Sequence, residues 1–415
     1  LTLNPGAPNK RAHFLGFAFM NVQPTPVPRA SQALSRYASF ASLIEKTRPA
    51  LPWYALHPAR FRKAASRFLS HFCGTTMYAV KANPVPHVLD QIYESGIRHF
   101  DTASLAEIEL IRGRYPDSTC HFMAPVRIPG EAGTAWRQHG LTDFVVDCDP
   151  ELDKLLAETD GGKALRIFVR VATPLGGAML ELSSKFGTSP PNAARLLKRI
   201  AGAGATPAIT FHVGSQCLSP FSYAQAVELA RRAAEMSGVP IRALDVGGGF
   251  PGPYPGNDVP PYHWYFDTVR EAITTFPLVE GGEVLCEPGR ALCAEGVSLV
   301  TRVILRRDDQ LFLNDGIYGS FDELAVPAWT ADYPRRVFGF GPSGRVRERR
   351  GELKPFKIFG PTCDTLDVLP RPLLLPQTVQ QDDYIVFETM GAYSVALRTG
   401  FNGFYPNDWA IIDGE

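Results

Sequence analysis

Between about residue 52 and residue 294, short β-rich apolar runs alternate with stretches whose apolar positions recur at helical spacing. The runs cover residues 75–80, 99–102, 119–123, 144–146, 165–171, 208–213, 243–246 and 283–286. Between them lie amphipathic stretches such as Pro86-His87-Val88-Leu89-Asp90-Gln91-Ile92-Tyr93 and residues 104–112, 192–201 and 223–236. Eight βα repeats of about 30 residues each predict a closed parallel barrel rather than an open sheet. After Ala294 that rhythm stops. Residues 297–305, 310–313, 356–359 and 384–388 read as strands without long helices between them, punctuated by Pro327, Gly339, Gly341, Pro342, Gly344, Pro355 and Pro361. The predicted class is therefore α/β: a (β/α)8 TIM-like barrel over 52–294, then an all-β domain of sandwich or barrel-like form over 295–415. Residues 1–51 read as an N-terminal extension and a segment that packs on the β domain. Arg345, Arg347, Arg349 and Arg350 form a basic run that Glu348 interrupts, which reads as a solvated loop.

Composition narrows the class further. Forty-two basic and 42 acidic residues cancel, so no global charge argues for nucleic acid or for an anionic membrane. No apolar run approaches the roughly 20 residues of a membrane span. Residues His13 to Met20 are apolar and follow Lys10-Arg11, yet the stretch is too short for a signal peptide and lacks a small-residue cleavage site. It reads as part of an extension, residues 1 to about 29, that packs on the body. The seven cysteines are odd in number, scattered, and never spaced as CxxC. Free thiols in a cytoplasmic enzyme with no metal site are the expectation.

In parallel barrels, functional side chains sit where strands run out into βα loops. Lys81, Asp101, Arg170, His212 and Glu287 all fall at such ends or within a residue or two of them. A lysine there can hold an aldehyde cofactor as a Schiff base, and burial is expected to loosen its proton. Gly247-Gly248-Gly249 after a strand, and Gly289-Arg290 after the next, offer backbone N–H groups to a phosphate. Ser215 adds a hydroxyl. Ser104 and Glu107 fit a capping box, a structural use that competes with any role near a ligand.

The segments Tyr78-Ala79-Val80-Lys81-Ala82-Asn83, Phe211-His212-Val213-Gly214-Ser215, Asp245-Val246-Gly247-Gly248-Gly249-Phe250 and Cys286-Glu287-Pro288-Gly289-Arg290 carry a resemblance. They resemble the pyridoxal-phosphate enzymes of the alanine-racemase-like fold (fold type III), in the ornithine/lysine/diaminopimelate decarboxylase branch. The resemblance runs from about residue 50 to the C-terminus. It implies that Lys81 binds pyridoxal 5'-phosphate and that His212 stacks on its ring. Ser215, Gly249, Arg290 and Tyr393 then hold the phosphate, alongside Gly247, Gly248 and Gly289. Asp101 and Glu107 lie near the cofactor, Arg170 lies near its phenolic oxygen, and Lys185 ties two subunits together. Glu287 faces the pyridine nitrogen, where racemases of this fold are expected to place an arginine. A carboxylate there keeps the nitrogen protonated and the ring a full electron sink, as decarboxylation needs.

Further matches come from the second domain. In Gly360-Pro361-Thr362-Cys363-Asp364, the resemblance makes Cys363 the acid that reprotonates Cα and Asp364 the holder of a cationic tail. A thiol with its ordinary pKa near 8.5 suits that work. In the family this pair reaches across a dimer interface, so a homodimer with shared active sites is implied. Lys81, His212, Glu287 and Cys363 form the catalytic set. Met390-Gly391-Ala392-Tyr393 and Thr399-Gly400-Phe401-Asn402-Gly403-Phe404 complete the match. Phe401 lines the apolar face where the carboxylate leaves, and Tyr318 lies beside the substrate.

One place departs from the pattern. After Asn314-Asp315-Gly316-Ile317-Tyr318-Gly319-Ser320-Phe321, ornithine decarboxylases continue towards a second amine-binding aspartate. Here the chain reads Asp322-Glu323-Leu324-Ala325-Val326-Pro327-Ala328-Trp329, so Asp322 or Glu323 is the candidate replacement. Arg398, just before Phe401, instead favours an anionic tail. The expected activity is decarboxylation of L-ornithine or L-lysine to putrescine or cadaverine. The alternative is a modified or conjugated amino acid of a specialised pathway. A racemase would lack Glu287, and an inactive partner-binding homologue would lose Lys81 or Cys363.

Overall fold

The computed structural model describes residues 33–173 and 177–414. Eight parallel strands close into a barrel: Thr75–Ala79, His99–Thr102, Thr119–Phe122, Asp143–Val146, Arg166–Val171, Thr206–Phe211, Ile241–Asp245 and Leu278–Cys286. The eighth pairs with the first, Leu285 opposite Thr75 and Cys286 opposite Thr76. Each coincides with one of the eight runs read from the sequence. Alternate side chains point inward, and Met77, Met123, Val145, Phe168, Ala208, Ala243 and Leu285 fill the barrel as one dry cluster.

The outer helices follow from local signals. Ser104 accepts from the Glu107 N–H at 3.3 Å, and the Glu107 carboxylate accepts from the Ala103 N–H at 2.7 Å. This reciprocal capping box starts the helix Leu105–Arg114. Glycines in the left-handed region end two others: Gly140 after Glu131–His139 and Gly238 after Phe221–Ser237.

The chain leaves the barrel through the short helix Arg290–Cys293 and enters the long strand Val297–Arg307. That strand pairs with Trp53–Leu56 on one side and with Tyr384–Phe387 on the other. Trp53–Leu56 thus belongs to the β domain, although the sequence boundary at residue 52 assigns it to the barrel. The helix Phe40–Thr47 covers the same sheet, burying Phe40, Leu43 and Ile44 against Val300, Phe338, Tyr384 and Val386.

Strands Arg335–Phe340, Val346–Arg349, Leu373–Pro376 and Asp408–Ile412 went unread in the sequence. The basic run therefore needs correction. Val346–Arg349 is a strand paired with Arg335–Phe340, and Arg349 makes a two-pronged ion pair with the buried Asp383 at 2.6 and 2.7 Å. Charged side chains on the outer face of an edge hairpin mask its alternation. The expectation for residues 1 to about 29 lies outside the described residues. Among the described residues no helix is long and apolar enough to cross a membrane.

Two hydrogen bonds clamp the β domain onto the mouth of the barrel. Asn83 Nδ2 donates to the Gly391 carbonyl at 2.8 Å, and the Tyr393 N–H donates to the Ala82 carbonyl at 2.9 Å. Both are made just after Lys81, at Ala82 and Asn83.

Candidate active site

The first strand ends at Ala79 and the chain tightens into the 3-10 turn Val80–Ala82. That turn lifts Lys81 off the strand, over the barrel mouth. Its side chain is 42 % exposed and opens onto a cavity of about 310 Å³, and its Nζ donates to Asp101 Oδ2 at 3.2 Å. Burial pulls the ammonium towards losing its proton, as the sequence suggested. Asp101, Glu287 and Tyr393 outweigh it and hold Lys81 above the usual lysine range. The expectation of a loosened proton is thus corrected. Neighbouring negative charge, not burial, decides the balance.

Glu287 follows the eighth strand and is buried. Its carboxyl is raised well above the usual range by burial, by Asp101 and by Asp245, with Lys81 opposing. Asp245 ends the seventh strand and shares a hydrogen bond with Glu287. It also accepts from Thr210 Oγ1 at 2.7 Å and from the Gly247 N–H at 3.0 Å. Burial pushes Asp245 up to about 6. Because these folded-state values lie above the unfolded ones, the pair's contribution to stability is full below pH about 4. It is lost as pH rises through about 6 and beyond.

His212 follows the sixth strand. Its Nδ1 accepts from the Gly214 N–H at 3.0 Å, which leaves the proton on Nε2. Burial first, then Arg170 and Lys81, hold it well below the usual histidine range. A neutral, flat ring therefore stands at the cavity wall. Arg170, on the fifth strand, reaches the same cavity, its guanidinium 5.5 Å from the Phe186 ring.

The glycine run lies directly beside these groups. Gly249 has φ +98°, and a Cβ there would come within 2.4 Å of the Gly214 carbonyl oxygen. A Cβ on Gly248 would sit 2.9 Å from His212 Nε2. Only glycine lets the loop pass this close under the histidine. Arg290 reaches Ser215 Oγ at 3.2 Å and the Tyr254 hydroxyl at 3.0 Å. Tyr393 lies 4.7 Å from its guanidinium and is held at φ +53°, a strained conformation for a tyrosine.

The remaining candidates gather on the β domain, outside the cavity lining. The Tyr318 hydroxyl donates to Asp364 Oδ2 at 2.5 Å, and the Tyr318 ring lies 4.8 Å from that of Phe401. The Leu366 N–H and the Tyr318 hydroxyl hold Asp364 below the usual carboxyl range. The Cys363 N–H donates to Asn402 at 3.0 Å and the residue is exposed. Beneath them the buried Asp367 accepts from the N–H groups of Ile317 and Thr362, both at 3.0 Å. A Cβ on Gly360 would lie 2.2 Å from an Asp367 oxygen, so only glycine fits there.

Residues 58–294 match the family described as pyridoxal-dependent decarboxylase, pyridoxal binding domain. The lysine/ornithine decarboxylase of Selenomonas ruminantium is 36 % identical over 348 residues, which cover 81 % of this chain and 83 % of that one. The chain belongs to the pyridoxal-dependent decarboxylases. Antizyme inhibitor 2 of Xenopus laevis is 29 % identical over 83 % of this chain and 76 % of that one. The lysine/ornithine decarboxylase of Vibrio vulnificus, solved with cadaverine, superposes with a TM-score of 0.75 at 29 % identity. That superposition covers 91 % of this chain and all of that one.

The residues of this decarboxylase fit pyridoxal phosphate. Lys81 would supply the amine, Glu287 the acid for a ring nitrogen, and His212 a neutral stacking face. Ser215, Gly248, Gly249 and Arg290 would face a phosphate, and Arg290 Nε is a buried donor without a partner. A larger open groove of about 580 Å³ on the β domain is a poorer candidate. Its Arg335 and Arg349 are committed to Asp332 and Asp383.

Three sequence expectations for the substrate end fare differently. Glu323 lines the Lys81 cavity, but both its oxygens are engaged by Arg290, so it is no free amine acceptor. Asp322 is half-buried and outside the cavity lining. Arg398 also lies outside it, held by the Val395 carbonyl at 3.0 Å and by Asn407 at 3.2 Å. Asp245, Asp367 and Tyr254 were not singled out from sequence. Asp245 alone had a signal, since it closes a barrel strand like the five strand-end residues that were named.

Proposed function

We propose that this decarboxylase, whose family acts on basic L-amino acids, converts L-ornithine or L-lysine to putrescine or cadaverine as a cytoplasmic homodimer with shared sites. One observation carries the reading. Lys81 and Glu287 stand at the barrel mouth, while on the β domain Cys363 is exposed and Asp364 half-buried, both outside the Lys81 cavity lining. A second copy of the chain supplies what each cavity lacks. Leu366, Phe401 and Tyr405, all exposed near that pair, give the apolar surface such a contact needs.

When bound, pyridoxal phosphate supplies the electron sink that takes up the pair left behind by carbon dioxide. Lys81 would hold the cofactor through its amine. Glu287 holds a proton at the ring nitrogen, with Asp245 hydrogen-bonded behind it. Leu180, Leu182, Phe186, Val326 and Leu397 form an apolar wall that suits a methylene chain and excludes water. The partner subunit's Asp364 meets the tail's cation, and the partner subunit's Cys363 delivers the proton to Cα.

The apolar wall also favours a second reading, a modified or conjugated amino acid. An inactive, partner-binding role like that named for antizyme inhibitor 2 fits less well. Lys81 and Cys363 are both retained.

Mixing two inactive variants tests the shared site. Lys81→Ala and Cys363→Ala chains, each silent alone, form mixed dimers with one intact site on reassociation. Carbon dioxide release from L-lysine or L-ornithine then returns to about a quarter of the wild-type rate for random pairing. No recovery, with dimers confirmed by light scattering, contradicts the shared site.

A further inference from the structure

Arg290 is the main cationic donor in the phosphate cradle, yet its hydrogens are already spoken for. Nη1 donates to Glu323 Oε2 at 2.9 Å and to the Tyr254 hydroxyl at 3.0 Å. Nη2 donates to Glu323 Oε1 and to Ser215 Oγ. A guanidinium has five N–H groups, four of them on its two Nη atoms. All four are engaged, which leaves only Nε–H without a partner. The Arg290 and Glu323 side chains are 3 % and 4 % exposed, so water neither screens nor replaces this pair. The Tyr333 hydroxyl donates to Glu323 Oε2 at 3.2 Å, and the Trp329 ring lies 4.4 Å from the guanidinium, which fixes both partners.

A two-pronged carboxylate on a guanidinium is the same geometry that a phosphate would adopt. Glu323 sits in the 3-10 turn Asp322–Ala325 and also lines the cavity that holds Lys81.

We propose that Glu323 is a built-in competitor for the cofactor's phosphate, occupying Arg290 and setting how weakly the cofactor is held. An arriving phosphate either displaces Glu323 from Arg290 or settles beside it and is repelled by it. In both cases the cofactor binds less tightly than the same cradle would allow without the carboxylate. This inference rests on pyridoxal phosphate use alone and is independent of which amino acid is decarboxylated.

The test compares the stripped full-length protein with Glu323→Gln in titrations with pyridoxal phosphate and with pyridoxal, which lacks the phosphate. Binding is followed by the absorbance of the bound chromophore. Glu323→Gln is expected to bind pyridoxal phosphate about ten-fold or more tightly with pyridoxal unchanged, so the ratio of the two affinities rises. Glu323→Asp keeps the charge for folding but shortens the reach to Arg290. It moves the ratio the same way by a smaller factor, and it decides the matter if Glu323→Gln does not fold. An unchanged or lower ratio overturns the proposal and makes Glu323 a group that merely aims Arg290. Failure of the ornithine or lysine reading would leave these affinities untouched.

Discussion

Replacing Lys81 with alanine is expected to abolish the bound-cofactor absorbance shift and to lower decarboxylation by at least about 10³-fold, ~4 kcal/mol of barrier. The expectation follows from the position of Nζ. It projects from the 3-10 turn into the cavity, with Asp101 at 3.2 Å and the buried Glu287 contributing to the field around it. Asp101, Glu287 and Tyr393 bias it towards the ammonium form in the empty chain. That bias also predicts how the variant behaves without cofactor. Removing the lysine takes away the cation that opposes the upward shift of Glu287, so its carboxyl holds its proton more firmly. The protein should fold normally, since the Lys81 side chain is 42 % exposed and its backbone turn is held by Asn83 and Tyr393. Visible absorbance and carbon dioxide release check the two effects separately. Retention of both contradicts the assignment of Lys81.

Glu287→Gln should cost on the order of 10²-fold in turnover while leaving cofactor affinity nearly unchanged. A glutamine fills the same space and keeps a hydrogen bond, but it cannot hold a positive charge at the ring nitrogen. The loss should therefore fall on kcat rather than on KM, because the charged ring nitrogen matters most when the electron pair left by the carboxylate is taken up. Asp245 sharpens the prediction. It sits behind Glu287, pushed up to about 6, and accepts from Thr210 and Gly247. The Glu287–Asp245 pair keeps a proton in the buried mouth of the barrel as pH approaches neutrality. In the variant that proton has only Asp245 to sit on, so the pH dependence of kcat should change along with its size. An unaltered kcat would show that the ring nitrogen is not served from this side.

The barrel was readable because its strands are buried on both faces. Their apolar runs stand out between amphipathic helices, and all eight matched. Parts of the β domain were not readable for the opposite reason. Val346–Arg349 carries three charged residues on a hairpin, and Leu373–Pro376 is a short strand among prolines. Neither holds enough alternation to be told from a loop. Trp53–Leu56 is apolar like a barrel strand, and only long-range pairing with Val297–Arg307 assigns it to the other domain. At the site, residues whose roles depend on strand ends were legible, because strand ends are local features. The pairing of Glu323 with Arg290 went unread because it is a matter of packing rather than of motif. The loosened proton expected of Lys81 failed for the same reason. Burial can be guessed from sequence, whereas the balance between burial and three surrounding groups cannot.

The most direct test is carbon dioxide release by the purified, pyridoxal-phosphate-loaded protein supplied separately with L-ornithine, L-lysine, L-arginine, L-2,4-diaminobutyrate and meso-diaminopimelate. Rapid release from L-ornithine or L-lysine, with putrescine or cadaverine formed in equal amount, is the predicted result. Silence across the panel, with the cofactor still bound at Lys81, would contradict the proposed substrate and leave a decarboxylase whose apolar cavity wall serves a larger amino acid.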